Sequence, residues 1–329
     1  MTERILVFDT SQTSENLGDY IIMDSVNKEL HDLFPDDLLI RTTTHDTVGK
    51  FAYSWGNRTK LKFLGGSNLL SGRFTGRNVA QWRFGFRDAR KLNDIVGLAL
   101  GWQSYREFTR LIDQPFVLAQ KMLYKKSLSS HYLHSVRDSY TQKKLEEYGF
   151  RSINTSCVTM WRLDTESLKQ LPLRQSDKVV TTITDYRNNG EYVKVYEKML
   201  ATLLEMYKQV FLWIQAPPDK DLIDKLNIKD KSRIKFINPS LEAYDEALSG
   251  EVDYIGARLH AGIRALQHKR RALIVEVDNR ATEIAKDTNL PTLPMKDIDK
   301  LKDIIKKPNP IDLRIPFAEI ERWKQQFVL

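Results

Sequence analysis

The chain has 329 residues, 41% of them hydrophobic, and its 51 lysines and arginines exceed 43 acidic residues to give a net charge of +8. This length suits two domains, and the apolar content excludes an intrinsically disordered chain. The charge favours anionic partners but does not choose among nucleic acid, anionic lipid and phosphorylated small molecules.

Cysteine usage and hydropathy bear on the location of the protein. The single cysteine, Cys157, cannot form an internal disulfide, so a reducing compartment is expected. The N-terminal residues have only a short apolar run, unlike a signal peptide. No run approaches the ~20 apolar residues that span a bilayer. We therefore expect a cytoplasmic protein, with attachment to the inner face of the membrane as the alternative.

Strands and helices alternate through the first half of the chain. Short apolar runs predict strands at residues 4–9, 37–44, 60–70, 95–102 and 131–139. Helical spacing of apolar residues predicts helices at 16–34 and 140–150, and Gly149 is suited to end the second. Such alternation indicates parallel strands in a doubly wound sheet.

The polar segment 169–178 interrupts this rhythm and is interpreted as a linker. Beyond it, strands are predicted at 178–184, 210–215, 233–238, 252–257 and 271–278, with helices between them, including 191–209. We predict an α/β protein with two Rossmann-like doubly wound domains, at residues 1–172 and 178–307, and a cleft between them. Residues 308–329 are predicted to contain a helix that packs on the protein, and the first domain is one surface on which it could pack.

Ligands of open α/β sheets bind beyond the carboxyl ends of the strands, so polar residues that follow strands are the first candidates. After strand 4–9 come Asn16, Gly18 and Asp19. Gly18 permits a ligand to approach the backbone. A plain helix-capping role for Asn16 or Asp19 is equally compatible with the sequence.

A glycine-rich turn follows the third predicted strand. Gly65, Gly66, Ser67 and Asn68 could present backbone N–H groups to an anion. The turn matches neither GxGxxG nor the P-loop pattern, and an ordinary tight turn is the competing interpretation.

Two further strand ends carry arginine. Arg137 follows strand 131–139, beside Asp138, which is suited to cap the next helix; a surface ion pair is the competing interpretation. Arg258 and His260 stand at the start of the helix after strand 252–257, where free N–H groups favour anions. An anion there would raise the pKa of His260 toward the range of a general acid. A purely structural histidine is the alternative.

A basic strip interleaved with aromatic residues is the last feature. Arg83, Arg87 and Lys91 share one face if the segment is helical. The strip is either a solvated surface or a surface for lipid phosphates. Its members are Arg73, Phe74, Arg77, Trp82, Arg83, Phe84, Phe86, Arg87, Arg90 and Lys91. No CxxC, HExxH or GxSxG sequence occurs, so zinc and serine-hydrolase chemistry are not expected.

Taken in order, several segments resemble the polysaccharide pyruvyl transferase family. They are ENLGDYII, LGGSNLL, SVRDSYTQKKLEEYGF, YIGARLHAGIRAL and ALIVEVDNRATEIAKDTNL. The ordered set extends over nearly the whole chain and is more specific than any single piece. The resemblance implies a GT-B-like fold, with the acceptor on the first domain and the donor on the second.

The same resemblance implies an activity. The enolpyruvyl group of phosphoenolpyruvate would be transferred to two hydroxyls of a sugar, in a cell-surface polysaccharide or its lipid-linked precursor, with release of phosphate. Phosphoenolpyruvate is a co-substrate, and no further cofactor or metal is implied. By similarity, Arg137 and Arg258 match donor-binding positions and His260 the catalytic position. Arg280 stands where family members commonly carry lysine, and its planar fork differs from an ammonium group.

Two other functions remain open at this point. A GT-B glycosyltransferase that uses a nucleotide sugar would have the same fold. A non-enzymatic anion-binding protein, such as a nucleic-acid or lipid-surface module, would show salt-sensitive binding to nucleic acid. We do not expect nucleic acid as a partner, because the charged residues concentrate at strand ends as well as on a surface.

Overall fold

Parallel strands with helices between them build the protein in two compact units. The structure is a computed structural model that describes residues 2–74, 81–185, 190–308 and 310–328. The first unit comprises Met1–Ser14, Ile22–Trp161 and Ile315–Leu329, and the second comprises Glu15–Ile21 and Arg162–Arg314.

The first unit has the strand order of a flavodoxin-like sheet. Its four main strands are all parallel, in the order β2-β1-β3-β4, and β5 and β6 form a parallel pair beside them. Leu100 and Val136 form a parallel bridge, and this bridge continues the sheet from β4 to β5. The strands are β1 (Arg4–Asp9), β2 (Leu38–Thr43), β3 (Leu61–Gly65), β4 (Val96–Leu98), β5 (His134–Val136) and β6 (Ser152–Asn154). The helices are α1 (Leu17–Leu33), which belongs to this unit from Ile22 onward, α2 (Lys50–Trp55), α3 (Phe86–Ala89), α4 (Gln114–Ser127) and α5 (Ser139–Glu147).

The second unit has the classical Rossmann order. Six parallel strands lie in the order β12-β11-β10-β7-β8-β9, which is the 3-2-1-4-5-6 pattern read from β9. Its strands are β7 (Lys178–Thr181), β8 (Gln209–Trp213), β9 (Ile234–Ile237), β10 (Asp253–Gly256), β11 (Ala272–Glu276) and β12 (Thr292–Pro294). Its helices are α6 (Thr165–Lys169), α7 (Gly190–Met206), α8 (Pro217–Lys225), α9 (Leu241–Ser249), α10 (Leu259–Gln267), α11 (Asn279–Thr288) and α12 (Leu301–Lys306).

A last helix, α13 (Phe317–Gln325), belongs to the first unit. Trp323 is buried among aromatic rings and lies 6.1 Å from Phe63 and 5.7 Å from Trp161, centroid to centroid. Gln326 adds hydrogen bonds to both backbone groups of Leu133, at 2.8 and 3.1 Å. Residues from the far end of the chain therefore complete one side of the first unit's core.

The predicted strands exist but several are shorter than expected. The third strand ends at Gly65 because Gly66 and Ser67 both have positive φ, at 57° and 62°, which ends extended pairing. A Cβ on Gly66 would lie 2.3 Å from the Ile22 side chain, so this turn needs glycine for space as well as conformation. The helix α4 and the short strands β6 and β12 were not predicted.

The basic strip is not one continuous helix, so the condition for a shared helical face is not met. Helix α3 spans only Phe86–Ala89, so Arg83 and Lys91 lie outside it and do not share a helical face with Arg87. Arg77 lies outside the described residues.

The aromatic residues of the strip do not form an exposed surface. Trp82 and Phe84 are buried, stack on each other with centroids 4.2 Å apart, and meet Phe8 edge-on. Phe74 and Phe86 are half-buried and pack against the same core. These rings stabilise the first unit and are not available to enter a lipid surface.

Candidate functional site

The strand order of the second unit marks one edge of its sheet as a ligand site. In a Rossmann sheet the crevice opens between the two central strands, which here are β7 and β10. Thr182 follows β7, and Arg258 follows β10. The Arg258 N–H donates to Thr182 Oγ1 at 3.1 Å, so the two strand ends are joined directly. Arg258 therefore lies where the strand order of the sheet reverses, between β7 and β10.

Arg258 is buried and paired with a carboxylate. Its Nη2 donates to both oxygens of Asp219, at 2.5 and 2.7 Å, and its Nε donates to the Ile183 carbonyl at 3.3 Å. Burial raises the pKa of Asp219 above its usual value, and the guanidinium opposes that change. One edge of this buried guanidinium therefore already holds an anionic group, a partner that the sequence did not indicate.

His260 is buried in the first turn of α10, two residues after Arg258. The start of this helix is fixed by two tyrosines whose hydroxyls donate to backbone carbonyls: Tyr254 to Arg258 at 2.8 Å and Tyr244 to Ala261 at 2.7 Å. Burial raises the pKa of both phenols, so they stay neutral donors near pH 7. The His260 imidazole therefore belongs to a helical turn whose backbone is held by two buried tyrosine hydrogen bonds.

Arg280 lies after β11, at the same carboxyl edge of the second sheet. Its Nε donates to both oxygens of Asp278, at 3.0 and 2.9 Å, and its Nη2 also contacts this carboxylate. Asp278 caps α11 and accepts from the Arg280 N–H at 2.9 Å. Arg280 is partly exposed and faces its own helix cap.

In the first unit, Arg137 lies at the carboxyl end of β5 and is fully buried. Its Nη2 donates to Asn68 Oδ1 at 2.6 Å and its Nε to Asp138 Oδ2 at 3.2 Å. Its Nη1 is buried and has no hydrogen-bond partner among the described residues. Asp138 also caps α5, as expected, through the Thr141 N–H at 2.6 Å. The hydrogen bond from Arg137 to Asn68 thus joins the glycine-rich turn to residues 136–138.

Gly101 makes room for this guanidinium. A Cβ on Gly101 would lie 2.3 Å from Cζ of Arg137. The Gly101 N–H donates to the Ser67 carbonyl at 2.9 Å and the Gly66 N–H to the Leu98 carbonyl at 2.8 Å, so these donors serve the turn. The turn that begins at Gly65 therefore holds Asn68 against Arg137. The Gly66 N–H of this turn is already occupied.

Asn16, Gly18 and Asp19 form the start of α1 and belong to the second unit. Asn16 Oδ1 accepts from the Gly18 N–H at 3.1 Å and from Gln215 Nε2 at 2.7 Å. The Leu17 N–H donates to the Gln215 carbonyl at 2.9 Å. Asn16 caps the helix, which was the competing interpretation, and it also ties the helix to the end of β8.

Sequence reasoning missed three residues that shape these sites: Asp219, Gln215 and Gly101. The segment that holds Asp219 has proline at the first helical positions and an acid in the first turn, which signals a helix start. Nothing in that local pattern indicates Arg258 as the partner, 39 residues away.

Two features are absent from the described residues, a metal-binding cluster and a membrane-spanning helix. No group of three or more histidine, cysteine, aspartate or glutamate side chains is placed to hold a metal ion there. Within the same ranges, none of the helices combines the length and hydropathy required to cross a bilayer.

The fold and the arginine-bearing strand ends define a class, an α/β protein of two Rossmann-like domains of GT-B type. The family model described as polysaccharide pyruvyl transferase matches residues 16–279. The chain belongs to the polysaccharide pyruvyl transferase family, which confirms the resemblance. A comparison with curated proteins finds no match.

The solved structure of S. aureus MnaA agrees with the fold class. The S. aureus MnaA–UDP complex is 11% identical, with a TM-score of 0.51 over 98% of this chain and 94% of that chain. E. coli heptosyltransferase WaaC with ADP-2-deoxy-2-fluoro heptose is 11% identical, with a TM-score of 0.45 over 92% and 98%. UDP-GlcNAc 2-epimerase from Neisseria meningitidis, bound to UDP-GlcNAc, is 11% identical, with a TM-score of 0.45 over 98% and 99%. At such identity the likeness to MnaA shows the fold alone.

Proposed function

We propose that this protein transfers the pyruvyl group of phosphoenolpyruvate to two hydroxyls of a sugar, in a cell-surface polysaccharide or its lipid-linked precursor. The observation that carries the proposal is the family match, which spans Arg137, Arg258 and His260. Phosphoenolpyruvate is the donor and only co-substrate in this proposal, and no metal or other cofactor takes part.

Donor binding is assigned to the arginines at the strand ends. Phosphoenolpyruvate carries a phosphate and a carboxylate, both of which suit guanidinium groups. Arg137 supports this role best, because its buried Nη1 has no hydrogen-bond partner among the described residues and an anion would satisfy it. Arg258 and Arg280 are proposed as further donor ligands. Asp219 fixes the orientation of Arg258.

His260 is proposed to carry the proton. The donor's methylene carbon gains a proton, which makes the adjacent C2 an oxocarbenium-like centre. A sugar hydroxyl adds to C2 and loses its proton, and the C2–O bond to phosphate breaks. The second hydroxyl then adds to the same carbon and closes the cyclic ketal. One hydroxyl proton ends in the new methyl group and the other leaves on phosphate, so no oxidant or reductant is needed. A group that donates and accepts protons near neutral pH serves both steps.

The test combines turnover with ligand binding. The protein is incubated with phosphoenolpyruvate and a panel of β-galactoside and N-acetylhexosamine acceptors, and phosphate release and product mass are measured. We expect a product heavier by one pyruvyl ketal and a rise in Tm with phosphoenolpyruvate. A Tm rise with nucleotide sugars instead, together with no ketal product, would favour glycosyl transfer and overturn the proposal.

Matched histidine variants test the assigned role. His260→Ala should abolish turnover. His268→Ala, at the other end of the same helix and 3.0 Å from Asp245, should retain it. Retained turnover in the His260 variant would remove that residue from the mechanism.

A further inference from the structure

The outer side of α4 and of the turn before it, residues 111–113, is apolar and exposed. Leu111 and Ile112 are 90% and 74% exposed, and Leu118 and Met122 are 59% and 48% exposed. The helical repeat places Leu118 and Met122 on one side, in line with Leu111. These are four of the twelve large apolar side chains exposed among the described residues, within one short segment. The outer α4 face is defined here as Leu111, Ile112, Pro115, Leu118 and Met122.

The fold does not use this face. Helix α4 is held by its opposite side, where Leu123 and Tyr124 are buried in the core of the first unit. The Tyr124 hydroxyl accepts from the Ser71 N–H at 3.0 Å and donates to the Ser71 carbonyl at 3.2 Å. Burying the outer apolar side chains would therefore require something beyond the first unit's own core.

Basic residues flank the outer α4 face. Arg110 precedes it, and Lys125 and Lys126 follow it in the last turn of the helix; all three are exposed. The acidic residue in this segment, Asp113, is paired with Arg73 at 3.3 Å. An exposed apolar stripe with a basic surround is typical of helices that lie in the surface of an anionic bilayer.

We propose that the outer α4 face binds an anionic membrane surface. The apolar side chains enter the boundary between headgroups and acyl chains, and the flanking basic residues meet lipid phosphates. A second copy of this chain fits less well, because a two-fold contact through this face would bring like charges together. This proposal is independent of the transfer reaction and places membrane contact on α4, away from the buried aromatic residues of the basic strip.

The test is co-sedimentation of the full chain with vesicles. One set contains phosphatidylglycerol and phosphatidylcholine in equal parts, and the other contains phosphatidylcholine alone. We expect binding to the first set, at least about tenfold weaker binding to the second, and loss of binding near ~1 M salt. Leu118→Glu with Met122→Glu should abolish binding. Lys125→Glu with Lys126→Glu should weaken it by about tenfold or more.

Two controls separate this face from general surface properties. Phe51→Ser removes an apolar residue elsewhere on the first unit that is more exposed (73%) than Leu118 or Met122. Lys306→Glu with Lys307→Glu makes the same charge change in the second unit. Both should bind like the unchanged protein. The proposal fails if the unchanged protein ignores anionic vesicles or if the controls lose binding equally. It also fails if Leu118→Glu with Met122→Glu dissolves a dimer without changing vesicle binding.

Discussion

Removing the carboxylate that holds Arg258 should destabilise the second unit strongly. In Asp219→Asn the shape of the side chain is kept but its charge is lost, and both contacts to Arg258 Nη2 become weaker. Both groups are almost fully buried, so the guanidinium would keep its charge without a counter-ion. Breaking a buried pair in this way costs ~3–5 kcal/mol. For a unit of this size that lowers Tm by roughly 10 °C or more.

A double variant separates stability from function. In Asp219→Leu with Arg258→Met both buried charges are replaced by apolar groups, a change that is often neutral for stability. We expect Tm to recover only part of the loss, because the Asp185 and Ala216 N–H groups lose the Asp219 oxygens that accept from them. Phosphate release from phosphoenolpyruvate should be absent, because Arg258 is a proposed donor ligand. The assay is calorimetry or urea unfolding together with the turnover measurement.

A matched control lies on the same helix. Arg264 holds Asp245 through two contacts of 2.8 and 2.6 Å, but this pair is more exposed. Asp245→Asn should cost less stability than Asp219→Asn and leave turnover intact. If the Asp219→Asn protein had the same Tm as the unchanged chain, Asp219 and Arg258 would not form a charged pair in the folded protein. Turnover in the double variant would remove Arg258 from donor binding.

Three further predictions concern His134, Arg137 and Arg280. Burial lowers the pKa of His134 from 6.5 to about 4, so its contribution to stability is full above pH 6.5 and is lost as the pH falls toward 4. By pH 5 the loss is about 2 kcal/mol, and urea unfolding at pH 7 and pH 5 should show it in the unchanged chain but not in His134→Gln. Gly101→Ala should displace the Arg137 guanidinium and cost about 1–3 kcal/mol; an unchanged Tm rise with phosphoenolpyruvate would contradict the assigned role. Arg280→Lys should keep turnover while Arg280→Met lowers it, and equal KM values for the donor in both would exclude Arg280 as a ligand.

The alternation of elements could be predicted because buried parallel strands leave clear apolar runs. Helix α4 escaped prediction for a physical reason: its inner residues, such as Leu123, and its outer residues, such as Leu118, are both apolar, which blurs the helical period. Strands β6 and β12 have three residues each, too few to show a pattern.

The sites could be predicted only as separate strand ends. Arg137 and Asn68 were both candidates, but their hydrogen bond joins residues 69 positions apart, which no local pattern reveals. The ion pair between Arg258 and Asp219, 39 positions apart, is hidden for the same reason, and Asp219 was not a candidate. Capping by Asp138 was predictable because it depends on neighbours three residues apart. Local chemistry was thus visible in the sequence, and long-range pairing was not.

The position of α13 has a consequence for synthesis of the protein. Trp323 fills the first unit's core, yet it leaves the ribosome only after the whole of Arg162–Arg314. At bacterial and eukaryotic elongation rates this delay is on the order of 10 s. During that time Phe63 and its neighbours lack their cover, and the nascent first unit presents an apolar surface to chaperones. The second unit is complete once Arg314 has emerged, before α13, so the later half of the chain can finish folding before the earlier half.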